Sequence, residues 1–249
     1  MTDSPVAVVT GGAQRIGACI CKTLHQRGFN VVIHFNHSQQ PAEQLTEHLN
    51  QQRANSAICL PASLNDNQSL NRFIAQAEQH WGRLDALINN ASGFYPTNIS
   101  EATEQDWDTL INSNVRGAYF LCQAASPHLA KQRGCIVNIV DIHGARPLGG
   151  YSIYSIAKAG LQMLTQSLAK ELPPVRVNGV SPGAILWPDE SHQDTALNTE
   201  QKQHILDKIP LGNIGRPEDI AETVAFLICS APYITGQIIA VDGGRSLSM

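Results

Sequence analysis

The chain has 249 residues, 43% of them hydrophobic and only 15% charged, with a formal net charge of −4. That balance gives no basic footprint for nucleic acid. No apolar run reaches the roughly 18 residues of a membrane span, and no basic signal region precedes the first apolar run. The expectation is a cytoplasmic protein acting on small molecules. α/β folds of this length are routinely one unit, so residues 1–249 are read as a single domain.

In chain order, apolar β-branched runs alternate with helix-period segments. Val6 to Val9 precedes Ile16 to Gln26, Val31 to Phe35 precedes Pro41 to Gln52, and Ser56 to Leu60 precedes Asn67 to His80. Ala86 to Asn89 is followed by a helical Thr103 to Ala130, Ile136 to Val140 by a helical Tyr154 to Leu172, and Val175 to Val180 by a late helix, Glu218 to Ser230. Ile238 to Val241 closes the series. This alternation predicts an α/β, doubly wound parallel sheet of the Rossmann type, with helices on both faces. Residues 183–203, polar and proline-containing, break the rhythm after a strand end and read as a substrate loop. Six cysteines (Cys19, Cys21, Cys59, Cys122, Cys135 and Cys229) show neither C-x-x-C pairs nor zinc-like His spacing, so reduced thiols and no metal are expected.

Val9-Thr10-Gly11-Gly12-Ala13-Gln14-Arg15-Ile16-Gly17 joins the first strand to the first helix. Glycines there allow a tight turn, and a helix N-terminus offers unpaired N–H groups to a pyrophosphate. An NAD site places Asp or Glu at the end of the second strand; here stand His34, Asn36, His37 and Ser38, all able to donate to a 2′-phosphate. The expected cofactor is NADP(H). Tyr154 and Lys158 lie one helical turn apart, and the cation is expected to favour the phenolate and so make Tyr154 a usable proton donor near neutral pH.

Together, Thr10-Gly11 to Gly17, Asn89-Asn90-Ala91, Asn114, Tyr154 with Lys158, and Pro182-Gly183 resemble the short-chain dehydrogenase/reductase family over essentially the whole chain. The resemblance implies Tyr154 as general acid, Lys158 as the group that tunes it and holds the nicotinamide ribose, and Asn114 as support for a relay water. It implies cofactor contacts from Gly11, Arg15, Ile16, Ser63, Leu64, Asn90, Ala91, Ser92, Pro182 and Gly183, and a homotetramer built on two long helices. Ser63 stands where the family usually has an adenine-contacting Asp.

Three features are similar to the pteridine reductases: Arg15 in the turn, Asn89 to Pro96 reading N-N-A-S-G-F-Y-P, and Asp141 where a carbonyl-polarising Ser is usual. An ionised carboxylate at 141 opposes the negative oxygen of ketone reduction. The same group bonded to Tyr154 can relay a proton to a ring nitrogen. The expected reaction is NADPH-dependent reduction of a dihydropterin or dihydrofolate, and the resemblance implies that oxidised pterins are accepted too. Arg15, Ser92, Phe94, Asp141, Leu148, Tyr151, Tyr154 and Trp187 are the candidate substrate contacts, Phe94 offering a flat face for a bicyclic ring. A carbonyl reductase of 3-oxoacyl or sugar substrates, and a non-catalytic NADP(H)-binding regulator, are the alternatives.

Overall fold

A computed structural model of the protein describes residues 3–187 and 197–248. Seven parallel strands form one sheet in the order β3-β2-β1-β4-β5-β6-β7. They are β1 (Val6–Val9), β2 (Asn30–Phe35), β3 (Ala57–Pro61), β4 (Ala86–Asn89), β5 (Cys135–Ile139), β6 (Arg176–Pro182) and β7 (Ile238–Val241). Successive side chains of a strand point to opposite faces. Hence Ala7 and Val9 join one apolar cluster with Ile20, Leu24, Ile33 and Val224, beneath helices α1 (Arg15–Gln26), α2 (Gln39–Gln52) and α8 (Pro217–Cys229). Val6 and Val8 join the other with Phe73, Leu87, Leu121 and Leu164, beneath α3 (Asn67–Trp81), α5 (Gly117–Gln132) and α6 (Ser152–Glu171). Burial on both faces explains why these strands read as continuous apolar runs. No helix among the described residues is long and apolar enough to cross a membrane.

The chain winds outward from β1 to β3, returns across the sheet, and winds the other way from β4. The carboxyl ends of β1 and β4 therefore flank a switch point, the place where open α/β sheets leave a ligand crevice. Two departures from the predicted elements bear on that crevice. The expected single helix over 103–130 is three pieces: α4 (Glu104–Ile111), a π-helical turn (Asn112–Arg116), and α5. Apolar spacing continues through all three, so periodicity could not mark the wider turn. The end of the expected loop instead begins α7 (Thr199–Leu206), started by a box in which Asn198 and Gln201 cap each other's backbone N–H groups. That N-x-x-Q signature was readable before the structure. The part of the expected loop from 188 to 196 lies outside the described residues.

Candidate active site

Between β1 and α1 the chain turns through Gly11, at φ 58°, a conformation that glycine adopts without penalty. A Cβ on Gly17 would lie 2.2 Å from the Gly11 carbonyl oxygen and 2.6 Å from Asn90 Nδ2, so only glycine fits the start of this helix. Asn90 Nδ2 donates to the Thr10 and Gly11 carbonyls (2.9 and 3.1 Å), and Thr10 Oγ1 accepts the N–H groups of Asn90 and Ala91. The turn after β1 is thus bolted to the end of β4 across the switch point. No side chain caps the first turn of α1. Its N–H groups and the glycine cradle fit a pyrophosphate, as a dinucleotide requires. Arg15 sits exposed at φ 50°, a strained conformation for a side chain-bearing residue and one that recurs at functional sites. Ile16 beside it is half-buried.

At the end of β2 the expected phosphate donors separate. Asn36 and His37 are exposed and bonded to each other, and Ser38 Oγ reaches Gln14 at 3.5 Å. His34 is turned inward. Its Nδ1 accepts the Gly11 N–H at 3.1 Å, its Nε2 bonds the Ala62 carbonyl at 3.1 Å, and its ring packs edge-on against Phe73. Burial pushes its pKa down to about 4. The expectation of a direct phosphate contact from this side chain is therefore corrected: a neutral imidazole with both nitrogens engaged braces the glycine turn. The strand-end position reads as a phosphate donor because the sequence does not show Gly11 and Ala62 closing around the ring. Ser63 shapes its own loop, its N–H bonding Ser69 Oγ and its hydroxyl accepting from Asn65. Neighbouring Leu64 packs where a Cβ on Gly117 would press at 2.9 Å. Gly183, after Pro182, bonds the Val241 carbonyl and lies so close to Asp242 that a Cβ would approach its Cα to 2.7 Å.

The chemical groups converge from β5, the π turn and α6. Tyr154, 4% exposed, donates its hydroxyl to Asp141 Oδ2 at 2.8 Å, while Asp141 Oδ1 accepts the His143 N–H at 2.8 Å. Burial first, and the Asp141 carboxylate second, hold the Tyr154 phenol well above its ordinary pKa. This reverses the expected downward pull from Lys158. The lysine is itself fully enclosed, lowered to about 8 by burial, and donates to the Ile139 carbonyl at 3.1 Å with its nitrogen 5.6 Å from the Tyr154 ring centre. The phenol is thus kept protonated and aimed at a carboxylate. With one of three ammonium protons committed, Lys158 has donors left for a ribose.

Asn114 sits in the π turn, buried, where its Nδ2 holds the Gly93 and Leu110 carbonyls and its Oδ1 accepts from Ser92 Oγ at 2.7 Å. Single π turns concentrate at functional sites. Beneath this cluster Asn89 Nδ2 donates to Asn138 Oδ1, and Asn138 Nδ2 to Thr165 Oγ1, both at 2.8 Å. That chain ties β4 to β5 and α6, and the sequence reading had not singled it out.

Phe94 is 46% exposed, yet Tyr151 lies parallel upon it at 4.7 Å between ring centres, and Tyr154 meets it edge-on at 4.9 Å. A ring bound against Phe94 would use its remaining face or displace Tyr151. Leu148 is half-buried, its N–H on Ser155 Oγ at 3.3 Å. Trp187 is half-buried with the Lys202 ammonium 5.9 Å from its ring centre.

Residues 11–246 match the family model described as enoyl-(acyl carrier protein) reductase. The chain is 36% identical to pteridine reductase 1 of Leishmania tarentolae, the match covering 98% of this chain and 97% of that protein. It is 37% identical to the 3-oxoacyl-[acyl-carrier-protein] reductase FabG of Staphylococcus aureus, covering 98% of each, and 35% identical to that of Staphylococcus epidermidis, covering 96% and 97%. Overall identity is therefore even-handed between a pterin enzyme and a carbonyl enzyme, and the distinction falls to individual side chains.

Proposed function

The chain belongs to the short-chain dehydrogenase/reductase family and is an oxidoreductase, and from that premise we propose that it reduces pterins with NADPH, converting dihydropterins or dihydrofolates to tetrahydro forms. The observation that carries this reading is the 2.8 Å bond from the Tyr154 hydroxyl to Asp141. A ketone oxygen turning into an alkoxide beside that carboxylate would meet repulsion where an oxyanion site needs donors. A ring nitrogen accepting a proton meets no such penalty.

The reduced nicotinamide supplies hydride when bound. The chain supplies the proton: Tyr154 gives its hydroxyl proton to the ring nitrogen next to the reduced carbon. Asp141, partly open to solvent, passes a replacement back along the same hydrogen bond. Lys158 keeps a positive charge under the pair while it carries the extra negative charge, and it would hold the nicotinamide ribose. Arg15 and the N-terminus of α1 would hold the pyrophosphate, and Asn36, His37 and Ser38 the 2′-phosphate, where no carboxylate opposes it. Asn114 fixes the Ser92 hydroxyl. Phe94, Leu148, Tyr151 and Trp187 form the apolar wall. We further place the enzyme in the cytoplasm, in line with six free cysteines, and as a homotetramer.

NADPH oxidation measured against dihydropterins, dihydrofolate, acetoacetyl thioesters and sugars tests the assignment. The expected result is turnover of the dihydropterins with little or none of the carbonyl substrates. Turnover of a thioester or sugar with dihydropterins inert would overturn it in favour of carbonyl reduction.

A further inference from the structure

Beyond β7 the chain makes a short 3₁₀ turn, Arg245–Leu247, that the site described above does not use. Asp242 builds it: one carboxylate oxygen accepts the Gly244 N–H at 2.9 Å and the other the Ser246 N–H at 2.8 Å. The turn is wedged as well as bonded. A Cβ on Gly243 would lie 2.8 Å from Ile209 Cγ2, and one on Gly244 2.9 Å from Pro210 Cγ. Arg245 is therefore presented from a fixed base at the carboxyl end of the sheet, two strands along from the β5 end that carries Asp141.

Arg245 is half-buried, its Nε is fully enclosed, and among the described residues its guanidinium has neither a hydrogen-bond nor an ion-pair partner. An enclosed Nε–H donor without an acceptor is costly, and natural structures rarely leave such a group idle. Burial pulls its pKa down while Asp141, the larger of two opposing carboxylates, pulls it up. No hydrogen bond or ion pair joins Arg245 to Asp141, whose oxygens serve Tyr154 and the His143 N–H, so the guanidinium keeps its donors for a ligand. The carboxylate of Asp242 is taken by the turn, Lys158 by the Ile139 carbonyl, and Arg15 stands at the phosphate end.

We propose that Arg245 is a specificity-determining residue that binds an acidic tail on the ring substrate, the carboxylate end of a folate-type molecule, and so favours tailed over untailed pterins. This rests on the pterin reading above and goes further by choosing among its substrates. A planar guanidinium matches a carboxylate with two parallel hydrogen bonds, which ammonium cannot reproduce.

The experiment compares wild type, R245Q and R245K, each loaded with NADP⁺. Dissociation constants are measured by fluorescence titration for dihydrofolate and for dihydrobiopterin, which has an uncharged tail; KM is measured for both. The expected result is a rise of roughly tenfold or more in the dihydrofolate constant for R245Q, the loss of one charge-assisted pair. Dihydrobiopterin should stay within about twofold, and R245K should recover part of the loss. Equal weakening of both ligands would make Arg245 a support for Asp141 or the ring and overturn the proposal, as would no change in either. Should R245Q fail to fold, R245K carries the test: a selective loss for dihydrofolate supports the proposal and an unselective one sinks it. A wild type inert towards every pterin defeats the function itself, whereas an active wild type with an unselective R245Q defeats only this inference.

Discussion

Because Asp141 Oδ2 accepts the Tyr154 hydroxyl directly, changing that one carboxylate should separate the two chemistries that the rest of the site permits. For D141S we expect dihydropterin turnover to fall by about 10²- to 10⁴-fold, the usual weight of positioned acid–base catalysis, and activity on a small ketone to stay level or rise. Steady-state kinetics on both substrates checks this; an unchanged pterin rate removes Asp141 from the chemistry. Lys158 governs the pH behaviour. Its folded pKa, about 8 against an ordinary 10.5, means that the ammonium is lost as pH rises through 8, while the raised Tyr154 phenol stays protonated. The alkaline limb of kcat/KM should therefore fall near pH 8. The sign for stability is the opposite. Between about 8 and 10.5 the unfolded chain binds the proton that the folded chain has shed, so this residue contributes rising stability across that window. K158M should raise Tm at pH 7 and abolish turnover, measured by calorimetry and by assay. At Arg15, relief of a left-handed side chain and the entropy lost with an added glycine oppose each other at about 1 kcal/mol each. R15G should thus leave Tm nearly unchanged while NADPH binding weakens.

At the level of elements, the buried amide chain from Asn89 through Asn138 to Thr165 does for β4, β5 and α6 what apolar packing alone does not: it fixes their sliding register beneath the catalytic groups. N138A strands the Asn89 amide and the Thr165 hydroxyl without these partners, each at about 1–3 kcal/mol. Urea unfolding should show a loss of about 2–4 kcal/mol, and a loss below 0.5 would show that water replaces the chain. The strands themselves were legible because two-sided burial writes them as unbroken β-branched runs, as in Val6 to Val9 or Ile136 to Val137. Tyr154 and Lys158 were legible because helical spacing sets them one turn apart, and Asp141 through the resemblance to the pteridine reductases. Other features depend on contacts between residues remote in sequence. His34 reads as a surface donor until Gly11 and Ala62 close around it. The Ser92–Asn114 bond needs the π turn, and Arg245, 104 positions from Asp141 in the chain, comes to the same carboxyl end of the sheet only through the strand order. The stacking of Tyr151 on Phe94 likewise follows from where the segment before α6 is tied, Thr97 N–H to the Gly150 carbonyl at 2.7 Å.

Across the molecule, apolar side chains remain uncovered where the sheet's needs are already met. Ile156 and Met163, two helical turns apart on one face of α6, are 51% and 61% exposed, and Trp107 on α4 and Tyr119 on α5 are each 45% exposed. Single exposed apolar residues need no account, but a set on α6, on α4 packed against it and on α5 beyond the π turn is a surface that a second copy could cover. In the proposed tetramer this face would be an isologous contact, each α6 meeting its counterpart across a two-fold axis. Such a contact places Ile156 against the partner's matching surface, so a carboxylate there meets both apolar desolvation and its own symmetry mate's charge. I156E should therefore lower the mass measured by light scattering from four copies of the 27.0 kDa chain to two or one, with far-ultraviolet circular dichroism unchanged because the residue supports no intrachain core. Ile156 lies two residues after Tyr154 on the same helix. Dissociation should then lower kcat in proportion to the loosening of α6, and restoring the assembly at high protein concentration should restore the rate. A variant that stays tetrameric with full activity would move the interface elsewhere on the molecule.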